Sequence, residues 1–277
     1  MSDTSKLCDQ IIRWQDMEVN VGYRDLLHRN GLDTFDQVIN HVGGTVLKQG
    51  RWGDVRLLTL PTINMVMKRK LRSGRWVCDF LRHRAKASPF IEWKNLWTCR
   101  AAGIPAPEPI AAGKRGVPWL HQSFVLMSAL NGECVISKIA SLRSHAVQRW
   151  ALLRNTGALV RRLHDHCLYH NDLYLDHVWV TDNVDQGGLA LLDLNRMVRT
   201  RQPSARLREK DLAKLLLSAR LDAGLSRSDT LRIFDGYRRN GSKRAKGHVL
   251  LSRVIHRARK IYARTPRFRS HKSTRRG

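Results

Sequence analysis

Two carboxylates in the second half of the chain stand where chemistry can be done. Asp172 lies in the run His170-Asn171-Asp172-Leu173-Tyr174-Leu175-Asp176-His177-Val178-Trp179-Val180, and Asp193 closes the apolar stretch Leu189-Ala190-Leu191-Leu192. Each acid comes just past a short hydrophobic segment. Phosphoryl transfer needs two such groups, one to orient and deprotonate an acceptor hydroxyl and one to hold magnesium against phosphate oxygens. Asp172 suits the first role and Asp193 the second. A solitary acid in a loop after a helix is more often solvated or a cap. The pair outweighs that reading because the remaining parts of such a site precede it in order.

Those parts begin with three strands, 44–49, 55–60 and 64–68, divided by Gly50-Arg51-Trp52-Gly53-Asp54 and by Pro61-Thr62-Ile63. Turn residues between short β-branched and apolar runs predict an antiparallel meander. Gly50 and Gly53 suit a turn folded over nucleotide phosphates, and equally a plain hairpin. Lys68, on the third strand, fits the position of the lysine that in a kinase reaches the α and β phosphates of ATP; with Arg69 and Lys70 beside it, the alternative is one charge of a surface run. A helix follows from Pro89, with Ser88 as cap and Gly103 as stop. Trp93, Leu96 and Trp97 share its apolar face, and Glu92 beside them points inward, where a carboxylate needs a cation. Lys68 is the natural partner; the alternative is a solvated glutamate complementing the helix dipole.

Pro105 to Pro109 breaks the chain, Ser123–Met127 reads as a buried strand, and a hinge belongs at Asn131-Gly132. From His145 to His166 the spacing of Trp150, Leu153, Gly157, Val160 and Leu163 predicts a helix that leads into the Asp172 loop. Gly187-Gly188 predicts a hairpin that sets Asp193 at a strand end. A basic run from Arg196 to Arg208 precedes a helix around 211–219, with Asp211 placed to support the loop from beneath. Val249–Ala263 is a basic amphipathic helix. Its apolar stripe packs onto the rest of the chain, or its cations meet a membrane surface or acidic partner. Residues 265–277 read as disordered.

The 277 residues suffice for two lobes with a core, and their formal charge of +27 favours an anionic partner. No apolar run approaches the roughly 20 residues that span a bilayer. The N-terminus has no apolar signal core, so the cytoplasm is expected. Five scattered cysteines without C-x-x-C spacing indicate neither a disulfide framework nor a zinc site.

The loop is similar to the kinase pattern H-R-D-x-x-x-x-N, with three departures. Asn171 replaces the arginine that meets a phosphorylated activation loop, Tyr174 stands where serine/threonine protein kinases carry lysine, and His177 replaces the asparagine of the second magnesium. Taken with Asp193-Leu194-x-Arg196, Arg199-Thr200-Arg201-x-Pro203, Lys210-Asp211-Leu212 and Glu92-Trp93-x-Asn95, the pattern H-x-D-x-Y-x-x-H resembles the lipopolysaccharide-core sugar kinases, chiefly the heptose kinases, with Kdo kinases as relatives.

The resemblance implies an α+β, bilobal protein-kinase-like fold, with a small antiparallel-sheet N-lobe carrying one helix and a mainly helical C-lobe. The expected division is an N-terminal extension at 1–40, the N-lobe at 41–130, the C-lobe at 131–247, and the basic helix with its tail at 248–277. It implies ATP and Mg2+ as cofactors and phosphorylation of an inner-core sugar hydroxyl at the cytoplasmic face of the inner membrane. Asp172 would be catalytic, Lys68, Glu92, Gly50 and Gly53 would bind nucleotide, Asp193 and His177 would hold metal, and Tyr174, Arg196, Arg199 and Arg201 would meet the acceptor. Partners would be the lipopolysaccharide core, an anionic membrane surface and an acidic protein such as acyl carrier protein. A Kdo kinase or a protein kinase is the alternative, and a nucleic-acid-binding pseudokinase is more remote.

Overall fold

The computed structural model describes residues 10–50, 53–71, 88–117, 120–182, 188–238 and 244–264. The chain forms two compact units, residues 1–130 with 194–196, and residues 131–193 with 197–277.

The first unit contains β1 (Ile11–Trp14), β2 (Met17–Asn20), α1 (Arg24–Arg29), α2 (Phe35–Ile39), β3 (Thr45–Gly50), β4 (Gly53–Thr59), β5 (Asn64–Lys70), α3 (Pro89–Ala101), β6 (Pro109–Val117) and β7 (Leu120–Ser128). Its strands form one sheet in the order β1-β2-β6-β7-β5-β4-β3, antiparallel throughout. The expected meander is β3 to β5. The segment expected as an extension at 1–40 instead supplies two strands and two α-helices to this unit, which therefore has three α-helices among its described residues rather than one. Apolar burial is the reason. Met17, Val19, Leu27, Leu32, Phe35, Val38 and Ile39 share one core with Met65, Met67, Phe124 and Leu126, and each such side chain contributes about 1.5–3 kcal/mol. A Thr34/Gln37 capping box starts α2.

Strand alternation separates the neighbouring cations of β5. Met65, Met67 and Arg69 are buried, while Val66, Lys68 and Lys70 alternate with them, so Lys68 and Arg69 leave opposite faces of the sheet. Arg69 does not belong to a surface run: its guanidinium meets both carboxylate oxygens of Asp54, at 2.8 and 2.6 Å, and donates to the Ile39 carbonyl at the end of α2 at 2.9 Å. Burial pushes the Asp54 carboxyl up, but the hydrogen bonds and charges of Arg69 and Arg56 outweigh it and hold it below the usual range.

The second unit contains β8 (Gly132–Cys134), α4 (Val135–Ser141), α5 (Ala146–Asp165), β9 (Leu168–Tyr169), β10 (Val178–Thr181), β11 (Leu189–Leu191), β12 (Val198–Arg199), α6 (Ala205–Leu221), α7 (Arg227–Arg238) and α8 (Arg244–Arg264). Leu153, Val160 and Leu163 of α5 are buried as their spacing predicts, whereas Trp150 is only half-buried and lies under the Arg232 guanidinium, 4.1 Å from the ring centre. β10 and β11 pair antiparallel as the expected hairpin, although Gly187 lies outside the described residues. α8 is the basic amphipathic helix. Its Val254 and Ala258 are buried, and Arg253 and Arg257 reach Glu209 of α6 at 3.8 and 3.5 Å, so its stripe packs within the unit. Residues 265–277, expected as a disordered tail, lie outside the described residues.

α5 and α7 touch backbone to backbone. A Cβ on Gly157 would stand 1.9 Å from the Ile233 carbonyl oxygen, and one on Gly236 would stand 1.8 Å from that of Arg154. Gly236→Ala therefore forces the two helices apart and lowers unfolding free energy by about 1–3 kcal/mol, measured by urea denaturation; an unchanged midpoint would show that the crossing tolerates a methyl group.

Candidate active site

In the first unit, the Lys68 ammonium meets Glu92 Oε1 at 2.7 Å, and Glu92 is only 1% exposed. Of the two readings of Glu92, the ion pair holds. A carboxylate buried in the first turn of α3 requires such a cation, since an unpaired charge there costs several kcal/mol. The supports of α3 differ from expectation. Ser88 makes no side-chain cap; its hydroxyl bonds instead to that of Ser123 on β7, at 3.0 Å. Trp93 Nε1 donates to Glu18 on β2 at 2.6 Å, and Asn95 Nδ2 donates to the Leu194 carbonyl at 2.6 Å. Gly50 and Gly53 face each other as the last paired residues of the β3–β4 hairpin. Gly53 has a steric reason to be glycine, because a Cβ there would lie 1.8 Å from the Arg69 carbonyl oxygen.

The second unit gathers Asp172, Tyr174, His177 and Asp193. Asn171 and Asp193 both have left-handed backbones, with φ of 63° and 55°, a conformation that asparagine and aspartate tolerate better than most residues. Asp211, fully buried on α6, holds the first of these bends. Its two oxygens accept from the backbone N–H groups of His170 at 2.7 Å and Asn171 at 2.8 Å. This is the support from beneath that the sequence suggested. Ser218, two turns further along α6, accepts from the Leu175 N–H at 2.9 Å.

The two histidines tie the acids together. His170 Nε2 lies 2.8 Å from the Leu192 carbonyl oxygen, and burial pushes its pKa down, so it is a neutral ring donating from Nε2. His177 stacks on it with ring centres 5.6 Å apart, and its Nδ1 lies 2.8 Å from the Asp172 carbonyl oxygen. That contact makes Nδ1 the donor and turns Nε2 toward Asp193, whose Oδ2 is 3.8 Å away. The backbone completes the link, the Leu192 N–H donating to the His177 carbonyl at 2.9 Å.

Sequence reasoning missed Lys214. Its ammonium pairs with Asp172 Oδ1, donates to the Asn171 carbonyl at 2.8 Å, and lies 5.1 Å from the centre of the Tyr174 ring. Lys210 donates to the Asn171 side-chain oxygen at 3.0 Å. The sequence signal is partial: 210, 211, 214 and 218 fall on one helical face, but their spacing does not name the loop they meet. Arg199 and Arg201 are exposed, Arg199 on β12 where that strand pairs with β9, and Arg196 belongs to the first unit.

Comparison with known proteins follows this geometry. A family model described as the lipopolysaccharide kinase (Kdo/WaaP) family matches residues 64–237. The chain belongs to the Kdo/WaaP lipopolysaccharide kinase family. It is accordingly a phosphotransferase with a hydroxyl acceptor. It is 29% identical over 195 residues to the lipopolysaccharide core heptose(I) kinase WaaP of Pseudomonas aeruginosa, covering 64% of this chain and 70% of that one. It is 25% identical over 143 residues to a 3-deoxy-D-manno-octulosonic acid kinase of Haemophilus influenzae, covering 48% of this chain and 57% of that one. The solved structure "WaaP in complex with acyl carrier protein" matches with a TM-score of 0.67 and 22% identity, over 91% of this chain and 100% of that one. That likeness establishes the α+β protein-kinase-like fold.

Among the described residues no three histidine, cysteine or acidic groups cluster to hold a metal unaided. Magnesium in nucleotide sites takes one or two carboxylates with the remainder from phosphates and water, so the Asp193 carboxylate, 42% exposed, fits that demand. Asp211→Ala would leave the buried His170 N–H without an acceptor, at a cost of about 1–3 kcal/mol, and would release the part-buried Asn171 N–H as well. Its urea midpoint is expected to fall accordingly, and a wild-type midpoint would mean that the loop is held by other groups.

Proposed function

We propose that the chain uses Mg2+-ATP to phosphorylate a sugar hydroxyl of the lipopolysaccharide inner core, with heptose the first choice. The observation that carries this reading is the pair of acids, Asp172 just after the left-handed bend at Asn171 and Asp193 on a left-handed bend of its own, with His177 between the Asp172 carbonyl and the Asp193 carboxylate. The similarity to a heptose kinase supports the choice of sugar. A Kdo acceptor is the second reading, supported by the Haemophilus influenzae relatives.

In this mechanism Asp172 accepts a hydrogen bond from the acceptor hydroxyl. The hydroxyl oxygen attacks the γ-phosphorus, the bond from that phosphorus to the β–γ bridging oxygen breaks, ADP leaves, and the hydroxyl proton passes to Asp172. When bound, Mg2+ neutralises phosphate charge as it is transferred. Asp193 would hold it. His177 contributes through Asp193, whose carboxylate its Nε2 faces, because imidazole is a poor magnesium ligand beside oxygen. Lys68, fixed by Glu92, takes the α and β phosphates, and the Gly50–Gly53 hairpin covers them. Arg196, Arg199 and Arg201 would grip the anionic groups of the acceptor, and Tyr174 would meet the same acceptor; guanidinium forks suit phosphate and carboxylate oxygens.

No helix among the described residues is long and apolar enough to cross a membrane. A lipid-linked acceptor at the cytoplasmic face of the inner membrane then calls for peripheral contact. The exposed residues Arg259, Lys260 and Arg264 of α8 supply charge for an anionic lipid surface. An acidic partner such as acyl carrier protein suits the same surplus of positive charge, and the similar solved complex supports it.

The deciding experiment is mass spectrometry of lipopolysaccharide from cells with and without the protein, using Asp172→Ala as control. A core phosphate present only with the wild type is expected, and fragmentation assigns the sugar. In vitro, Asp172→Ala should lower kcat by about a thousandfold or more. Replacing both Arg199 and Arg201 with Ala should raise the acceptor KM about tenfold while the ATP KM stays put. Unchanged acceptor kinetics would remove the arginines from the acceptor site.

A further inference from the structure

The loop that carries Asp172 has no cation of its own. From His170 to His177 it offers two acids, an amide, a phenol and two imidazoles, with Asn171 and Tyr174 standing where kinases carry arginine and lysine. A carboxylate that must receive a hydroxyl proton while a phosphoryl group arrives faces like-charge repulsion, and a nearby ammonium relieves it. The structure supplies one from a different element. Lys214, on α6, is 9% exposed, pairs with Asp172 Oδ1, donates to the Asn171 carbonyl at 2.8 Å and stands 5.1 Å from the centre of the Tyr174 ring.

We propose that Lys214 is the positioning cation of this active site, brought from α6 to replace the one absent from the loop. It fixes through Oδ1 the direction of the Asp172 carboxylate, the group that receives the acceptor hydroxyl's proton. Tyr174 has a matching duty: its ring face is a platform for the ammonium, in a contact worth about 0.5–2 kcal/mol. The helix rather than the loop therefore sets the position of this charge. Lys214 lies one turn after Asp211, the residue that fixes the loop backbone, so carboxylate and cation are registered by the same rigid element.

This inference rests on the phosphotransfer reading, and its test separates the two. The full chain is assayed with γ-labelled ATP and core oligosaccharide prepared from cells lacking the protein, comparing wild type, Asp172→Ala, Lys214→Gln and Lys214→Arg. Glutamine keeps a donor for the Asn171 carbonyl and removes only the charge. Lys214→Gln should melt close to wild type, lose tenfold or more in kcat and keep its ATP KM within twofold; Lys214→Arg should recover most of the loss. A Lys214→Gln enzyme within threefold of wild type, or a loss that arginine does not recover, overturns the proposal. Should Lys214→Gln fail to fold, Lys214→Met, which keeps the unbranched stem and removes the charge, is read by the same limits: a tenfold loss in kcat with the ATP KM held supports the proposal, and a rate within threefold of wild type overturns it. A wild type that labels no oligosaccharide refutes the enzymatic reading, and this inference with it.

Discussion

Everything in the second unit that bears on chemistry depends on one carboxylate that takes no part in it. Asp211 is fully buried, and its two oxygens receive consecutive backbone N–H groups where the chain turns through the left-handed bend at Asn171. A buried carboxylate is costly unless its lone pairs are filled, and buried N–H groups are costly unless they find acceptors. Each satisfies the other here. The bend then hands Asp172 its direction, the Asp172 carbonyl anchors His177, and His177 faces Asp193. One contact beneath the loop is propagated outward through short, directional links.

The fold and the site were legible to different depths. Strands β4 and β5, helices α3 and α5 and the β10–β11 hairpin could be read because their periodicity and turn residues agree with their burial, whereas β3, exposed along its whole length, was legible only from its β-branched and apolar run and the turn that follows. The Lys68–Glu92 pair was readable because a glutamate beside Trp93 and Trp97 on an apolar face demands a cation. The contribution of residues 11–39 was not, because two four-residue strands and two helices of five and six residues give too short a window for any period to stand out. Lys214 was hidden for another reason. It sits among Leu212, Ala213, Leu215 and Leu217, in a run that reads as plain helix, and only the position of the loop shows what its ammonium serves. Asn171 looked like a weakened motif when only residue types were compared; its backbone angle gives it a positive reason to be there.

The charge of the chain also divides more finely than composition suggests. A surplus of 27 positive charges reads as an invitation to an anionic partner, yet part of it works indoors. Arg69 closes the end of α2, Lys68 neutralises Glu92, and Lys210 and Lys214 grip the loop. What remains for partners is the exposed set, including Arg199, Arg201, Arg259, Lys260 and Arg264. Binding measured at raised salt would weaken the exposed contacts well before the buried ones.

The Arg69 guanidinium has a bearing on how short the chain can be made. It donates to the carbonyls of Ile39 and His41, and the sheet continues from β6 into β2 and β1. A truncation that began at residue 41, where motif matching alone would start a kinase lobe, would strip α2 from Met65, Met67 and Phe124 and leave β6 with an unpaired edge over an opened apolar face. Such an edge is a template for aggregation, so the minimal soluble piece of this enzyme has to include the leading strands.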